Sequence, residues 1–85
     1  MASHSFHYVY ILESLRKPEA IYVGLTDNLR RRFQAHNSGN VISTRPLRPW
    51  KLLSYHAFPN RDLASAFEQY LKTSSGKAFL RKRLR

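Results

Sequence analysis

The chain has 85 residues and no cysteine, and its fifteen Lys/Arg against five Asp/Glu give a formal charge of +10. That length holds one small domain able to bury roughly 60–65% of its unfolded surface. The lack of cysteine excludes a disulfide framework and thiolate zinc sites, and no run approaches the ~18 apolar residues of a membrane span.

Phe6 to Leu12 is β-branched and aromatic and is predicted to be a strand. Alternation across a strand points Phe6, Tyr8, Tyr10 and Leu12 one way and His7, Val9 and Ile11 the other. Glu13 to Glu19, with Pro18, carries the turn, and Ala20 to Leu25 returns as the second strand of an antiparallel hairpin. Gly24 marks a place where something passes close to the backbone. Thr26 and Asp27 supply capping oxygens, so a helix is expected to start there. In that helix Leu29 and Phe33 share one face for packing, while Arg32 and His36 share a neighbouring face aimed elsewhere. Gly39 stops it.

Val41 to Pro49 contains two prolines and is predicted to be a loop with at most one short turn. Trp50 to Phe58 reads as the third strand, ended by Pro59-Asn60. The period then changes: Leu63, Ala66, Phe67, Tyr70 and Leu71 make an amphipathic helix capped by Asn60 or Asp62, with Glu68 beside its apolar stripe. Thr73 to Gly76 ends that helix and caps a last one, Lys77 to Arg85, in which Phe79, Leu80 and Leu84 pack. The fold expected is a single α/β domain over residues 1–85, a three-stranded, largely antiparallel sheet flanked by about three helices. Met1 to Ser5 lacks the charged and apolar regions of a signal peptide, so a cytoplasmic protein is expected.

The charge points to nucleic acid, because neutralising phosphates releases condensed counterions. Arg30 and Arg31 are candidates for phosphate or solvent, and Arg45 and Arg48 sit beside prolines that limit the backbone freedom lost on binding. Lys77 and the arginines after it face water or phosphate. The alternative is a basic protein that docks on RNA or on a protein. Four of the carboxylates have structural positions at helix starts or around the hairpin turn, which leaves Glu68. One carboxylate suits a single hard cation that keeps waters and takes phosphate oxygens. The competing reading pairs Glu68 with Lys72 one turn on. Arg32 offers a positive fork for phosphate charge, and His36 a group that orients water or passes a proton; a solvated helix face and a C-terminal cation are the competing readings. Tyr10 and Tyr22 could equally be strand aromatics like Tyr8 and Tyr55. His4, His7 and His56 have no ligand spacing.

Taken together, Tyr8-Val9-Tyr10, Tyr22-Val23-Gly24, Arg32, His36 and Glu68 resemble the motifs of the GIY-YIG nuclease superfamily, and most of all its small stand-alone bacterial members. Tyr8 stands where the first tripeptide of the family has glycine. The resemblance implies a Mg²⁺- or Mn²⁺-dependent endonuclease that cuts DNA to leave a 5′-phosphate and a 3′-hydroxyl. A domain this small has little surface left for base readout, so weak sequence preference or a protein partner that supplies specificity is expected. The resemblance also implies Tyr10 as general base assisted by His36, Tyr22 positioning water or phosphate, Arg32 stabilising the pentacovalent phosphate, and Glu68 holding one cation. Many members also carry a C-terminal asparagine; this chain has none after Asn60, and Ser75 or Lys77 are the candidates to replace it. A non-catalytic nucleic-acid-binding domain of the same fold is the rival.

Overall fold

A computed structural model describes residues 5–85; Met1 to His4, which include most of the stretch read for a leader and one of the four histidines, lie outside the described residues. Strand β1 spans His7–Ser14 and β2 Ile21–Thr26, followed by helix α1 at Leu29–Ser38, a short 3₁₀ turn at Arg45–Leu47, and β3 at Trp50–Phe58. Helix α2 covers Arg61–Leu71 and α3 Ser74–Phe79, the latter running into a π turn at Leu80–Leu84. The sheet order is β2-β1-β3 and both pairings are antiparallel. The α/β class, the strand count and the third strand's bounds are as expected.

Alternation along β1 divides the molecule. Val9 and Ile11 point to one face, where Ala64, Leu71 and Leu80 of α2 and the C-terminal turns close over them. Tyr10 and Leu12 point to the other, where they meet Trp50 and the half-buried Leu29, Phe33 and Leu47 of α1 and the loop. Because β1 is the middle strand, Val9, Tyr10, Ile11 and Leu12 are all almost wholly buried. Among the described residues no helix is long and apolar enough to cross a membrane.

Several local expectations are corrected. Helix α1 is capped by Asn28, whose side chain accepts from the Arg31 N–H at 3.1 Å, and Thr26 supports this cap by accepting from the Asn28 N–H at 3.1 Å. Asp27 takes no capping part, since Asn28 already satisfies the donor it would have served. Gly39 ends α1 with φ of 88°, a conformation that side-chain-bearing residues rarely adopt.

In α2, capped by Asn60, the buried line is Ala64 and Leu71 with Phe67 half-buried, whereas Leu63 is 52% and Tyr70 41% exposed. The apolar stripe on the helix is wider than the surface available to cover it. The helix therefore turns the side of Ala64 and Glu68 toward the sheet and leaves Leu63, Ala66 and Tyr70 outward. Helix α3 starts at Ser74, capped by Thr73 and earlier than expected, and Gly76 lies buried within it rather than before it. A Cβ at 76 would collide with the Tyr70 carbonyl, so glycine is what lets α3 press against the end of α2. Phe79 stays 37% exposed while Leu80 is buried.

Candidate active site

The hairpin register sets the site. Tyr10 of β1 stands opposite Gly24 of β2, and Leu12 opposite Tyr22, which puts Tyr10 and Tyr22 diagonally on one face with ring centroids 6.1 Å apart. A Cβ at Gly24 would strike both the ring and the hydroxyl of Tyr10. What passes close to Gly24 is thus an aromatic side chain, and the glycine is the slot in which it lies.

Above this pair, α1 delivers His36. The ring is completely buried, 2.8 Å from the Tyr10 hydroxyl through Nε2 and 2.7 Å from the Thr44 hydroxyl through Nδ1. Tyr22 packs against the same imidazole with centroids 4.8 Å apart, and Trp50 edges onto Tyr22 at 6.4 Å. The expectation that the Arg32/His36 face would look away from the packing face is corrected. Leu29 and Phe33 pack on the same cluster of Tyr10, Leu12 and Trp50 that His36 enters, because α1 lies across that face of the sheet.

Thr44 was not singled out by its sequence context, which shows only an irregular segment ahead of Arg45-Pro46. It is buried, its hydroxyl also lies 3.4 Å from the Val41 carbonyl, and its own carbonyl accepts the Trp50 indole N–H at 2.9 Å. If the hydroxyl donates to Val41, Nδ1–H of His36 donates to Thr44, and Nε2 is left with a lone pair aimed at the Tyr10 O–H. Asn37, one residue beyond His36, clamps the start of β3 by accepting from the Trp50 N–H at 2.6 Å and donating to its carbonyl at 2.9 Å. The loop between α1 and β3 is therefore held where Thr44 can reach the imidazole.

Electrostatics follow from burial. Desolvation pushes the Tyr10 phenol up to about 12, against the opposing pull of the nearby Arg32 cation. Burial, helped by the positive Arg32, brings His36 down to about 4. The phenol in turn raises Arg32 above its ordinary value. At neutral pH the cluster holds a neutral phenol, a neutral imidazole and one fixed cation at its solvent edge. This disposes of the reading of His36 as a helix-end cation, since a buried neutral ring has no charge to offer the dipole.

Tyr10, Tyr22, Arg32 and His36 are thus gathered in one place, and Glu68 is not bonded to any of them. Its carboxylate, 16% exposed, pairs with Lys72 at 2.5 Å one turn along α2. Glu68 rides on α2, which packs against the Val9/Ile11 face, opposite the face that carries Tyr10 and His36. At the β2 edge, Tyr22 and Val23 line a cleft of about 540 Å³ with Lys72, Lys77 and Arg81, and neither Glu68 nor Tyr10 is among its lining residues. Lys77 is therefore set on that cleft. Arg45 and Arg48 lie by the C-terminus of α1, Arg45 donating to the Gly39 carbonyl at 2.8 Å and Arg48 packed where a Gly39 Cβ would be. Arg30 and Arg31 are exposed on the first turn of α1. Ser75 is exposed on α3. Among the described residues no three His, Asp or Glu side chains cluster as a metal cage.

The GIY-YIG catalytic domain family matches residues 6–83. A UPF0213 protein of Clostridium perfringens is 42% identical over 67 residues, covering 78% of this chain and 70% of that protein. The structure-specific endonuclease subunit SLX1 of Debaryomyces hansenii is 35% identical over 74 residues, covering 79% of this chain, which spans only 21% of that relative's length. The solution structure of a UPF0213 protein from Bacillus halodurans superposes with a TM-score of 0.55 at 34% identity, over 91% of this chain and 83% of that one. With its motif tyrosines, glycine, arginine and histidine assembled on one sheet face and the family match spanning nearly its whole length, the chain belongs to the GIY-YIG nuclease family.

Proposed function

We propose that this protein is a divalent-metal-dependent endonuclease that hydrolyses DNA phosphodiester bonds, leaving a 5′-phosphate and a 3′-hydroxyl. The observation that carries the reading is the bond between the Tyr10 hydroxyl and His36 Nε2, with Arg32 at its edge. A phenol raised to about 12 is a poor base on its own. The imidazole at 2.8 Å is placed to take the Tyr10 proton at Nε2 as Tyr10 accepts one from the attacking water, provided that a bound phosphate anion offsets the Arg32 charge and the desolvation that hold His36 low. With its hydroxyl donating to the Val41 carbonyl, Thr44 accepts from Nδ1–H and holds the imidazole in the tautomer this transfer requires. Arg32 offers its fork to the charge that builds on phosphate and to the phenolate as it forms. Tyr22, tilted against the imidazole and lining the cleft at the β2 edge, positions water or phosphate.

Glu68 is the residue that would hold the cation. A partly sequestered single carboxylate fits a hard cation that completes its shell with waters and phosphate oxygens, and does not suit a cage made wholly of protein ligands. Bound there, the cation would supply charge stabilisation to the scissile phosphate and its leaving oxygen. Lys72 neutralises the carboxylate in its absence. Arg30, Arg31, Arg45, Arg48 and Lys77 serve the flanking phosphates, and the +10 charge favours a polyanionic substrate.

The Glu68–Lys72 pair also favours a second reading, a nucleic-acid-binding domain that keeps the fold without turnover. Incubation with single-stranded, duplex and branched DNA in Mg²⁺, in Mn²⁺ and in chelator separates the two. The nuclease reading expects metal-dependent cleavage that Glu68→Ala abolishes while DNA binding survives. Cleavage that persists in Glu68→Ala refutes the metal assignment, and absence of cleavage on every substrate favours the binding module.

A further inference from the structure

The sheet face that holds Tyr10 continues past it into solvent. Tyr55 of β3 stands directly across from Tyr10 in the β1–β3 register, and Tyr8, two residues before Tyr10, points the same way. Tyr8 and Tyr55 meet edge to face with centroids 6.1 Å apart, and Phe6 adds a third ring 6.4 Å from Tyr8. Tyr55 is 53% and Phe6 40% exposed, so this ladder is not covered by the core beneath it. Tyr8 and Tyr55 instead form one wall of an open groove of about 370 Å³ whose other wall is the start of α1: Asp27, Asn28, Leu29 and Arg30. Asn28 is committed to capping the helix, which leaves the Arg30 cation and the exposed Asp27 carboxylate as the charges at this wall, with Arg30 the group available to a phosphate.

Single exposed aromatics are ordinary on protein surfaces. Three contiguous rings, with an arginine across an open groove and a reactive tyrosine at their inner end, are an arrangement suited to a flat apolar ligand bearing negative charge. An unpaired nucleotide is such a ligand, since every base has a face to stack and a phosphate at its side. A duplex keeps its bases stacked inside and offers these rings only its backbone. We propose that Tyr55 and Tyr8 form a stacking subsite for an unpaired base of the DNA strand next to the scissile phosphate, with Arg30 on the adjoining phosphate. The assignment rests on the nuclease reading above and extends it by naming single-stranded DNA as the form engaged beside the site. Tyr8 then has a use of its own at the position where the family's first tripeptide has glycine.

Binding in chelator tests the subsite independently of cleavage. A fluorescein-labelled oligo-dT and a blunt-ended two-strand duplex are titrated with wild type, Tyr55→Leu and Tyr55→Phe, after circular dichroism melting has shown that each variant is folded. Tyr55→Leu is expected to bind oligo-dT roughly tenfold more weakly while its duplex affinity changes little, and Tyr55→Phe to behave as wild type. A strand carrying the fluorescent base 2-aminopurine should be quenched by wild type and by Tyr55→Phe but not by Tyr55→Leu. Unchanged oligo-dT binding in Tyr55→Leu, or an equal loss for strand and duplex, overturns the proposal. Failure of the wild type to cleave any DNA counts against the nuclease reading instead, because the binding and quenching comparisons do not depend on turnover.

Discussion

Tyr10 and Gly24 face one another across the β1–β2 ladder, and the tyrosine ring occupies the volume that any side chain at 24 would need. The glycine of the second motif is thereby coupled to the tyrosine of the first. Gly24→Ala should force the ring off its position, destabilising the fold by about 1–3 kcal/mol and breaking the Tyr10–His36 bond. Urea unfolding reads the first effect and cleavage assays the second. Wild-type stability in this variant would show that the slot is not needed.

Thr44 acts through His36 and has no part of its own in the proposed chemistry. Thr44→Val keeps the shape and removes the oxygen, leaving Nδ1 of a buried ring without a partner at a cost of about 1–3 kcal/mol. Cleavage should fall about tenfold with KM little changed, and Thr44→Ser should restore most of the rate. A merely structural role would not separate Ser from Val in kcat, so equal rates in the two variants would remove Thr44 from the relay.

The depressed His36 makes stability depend on pH. The folded ring titrates near 4 and an unfolded one near 6.5, so between these values the unfolded chain binds more protons. Stability is therefore complete above about pH 6.5 and falls as pH drops toward 4, by an amount on the order of 2–3 kcal/mol. Chemical denaturation at a series of pH values measures the slope, and His36→Phe should flatten it. An unchanged slope in that variant would place the acid sensitivity elsewhere.

Lys72 competes with a cation for Glu68. In the proposed reading, Lys72→Ala frees the carboxylate and lowers the Mn²⁺ concentration needed for half-maximal cleavage by a few-fold, in line with an ion pair worth about 0–1 kcal/mol. A higher metal requirement in that variant would argue that Lys72 helps hold substrate or cation instead.

Phosphate contacts should dominate affinity for DNA. The logarithm of the binding constant is expected to fall linearly with the logarithm of salt concentration, with a slope of about −0.7 for each phosphate neutralised on a single strand. Arg30→Ala should reduce that slope by about one such contact. A response flat in salt would contradict a basic docking surface.

What could be known from the letters alone was local or periodic. The alternation of Phe6 to Leu12 announced a strand with two faces, Gly39 announced the end of α1, and the span of β3 between Trp50 and Pro59 was legible to the residue. The family was also legible, because the order of its motif residues along the chain is itself the signal. The contacts among them were not. Whether Tyr10 and Tyr22 share a face depended on the hairpin register, and the tilt of α1 turned His36 inward beside Leu29 and Phe33 rather than away from them. Thr44 became visible only once the loop was clamped by Asn37, since a threonine among prolines carries no mark of its partner. Helix α2 shows the limit in reverse: five apolar residues at helical spacing named a face, but the width of the sheet decided that Ala64 and Leu71 would be covered and Leu63 and Tyr70 left out. Propensity and period act within a few residues, whereas packing selects among the faces they offer, and the cluster around His36 exists only through that selection.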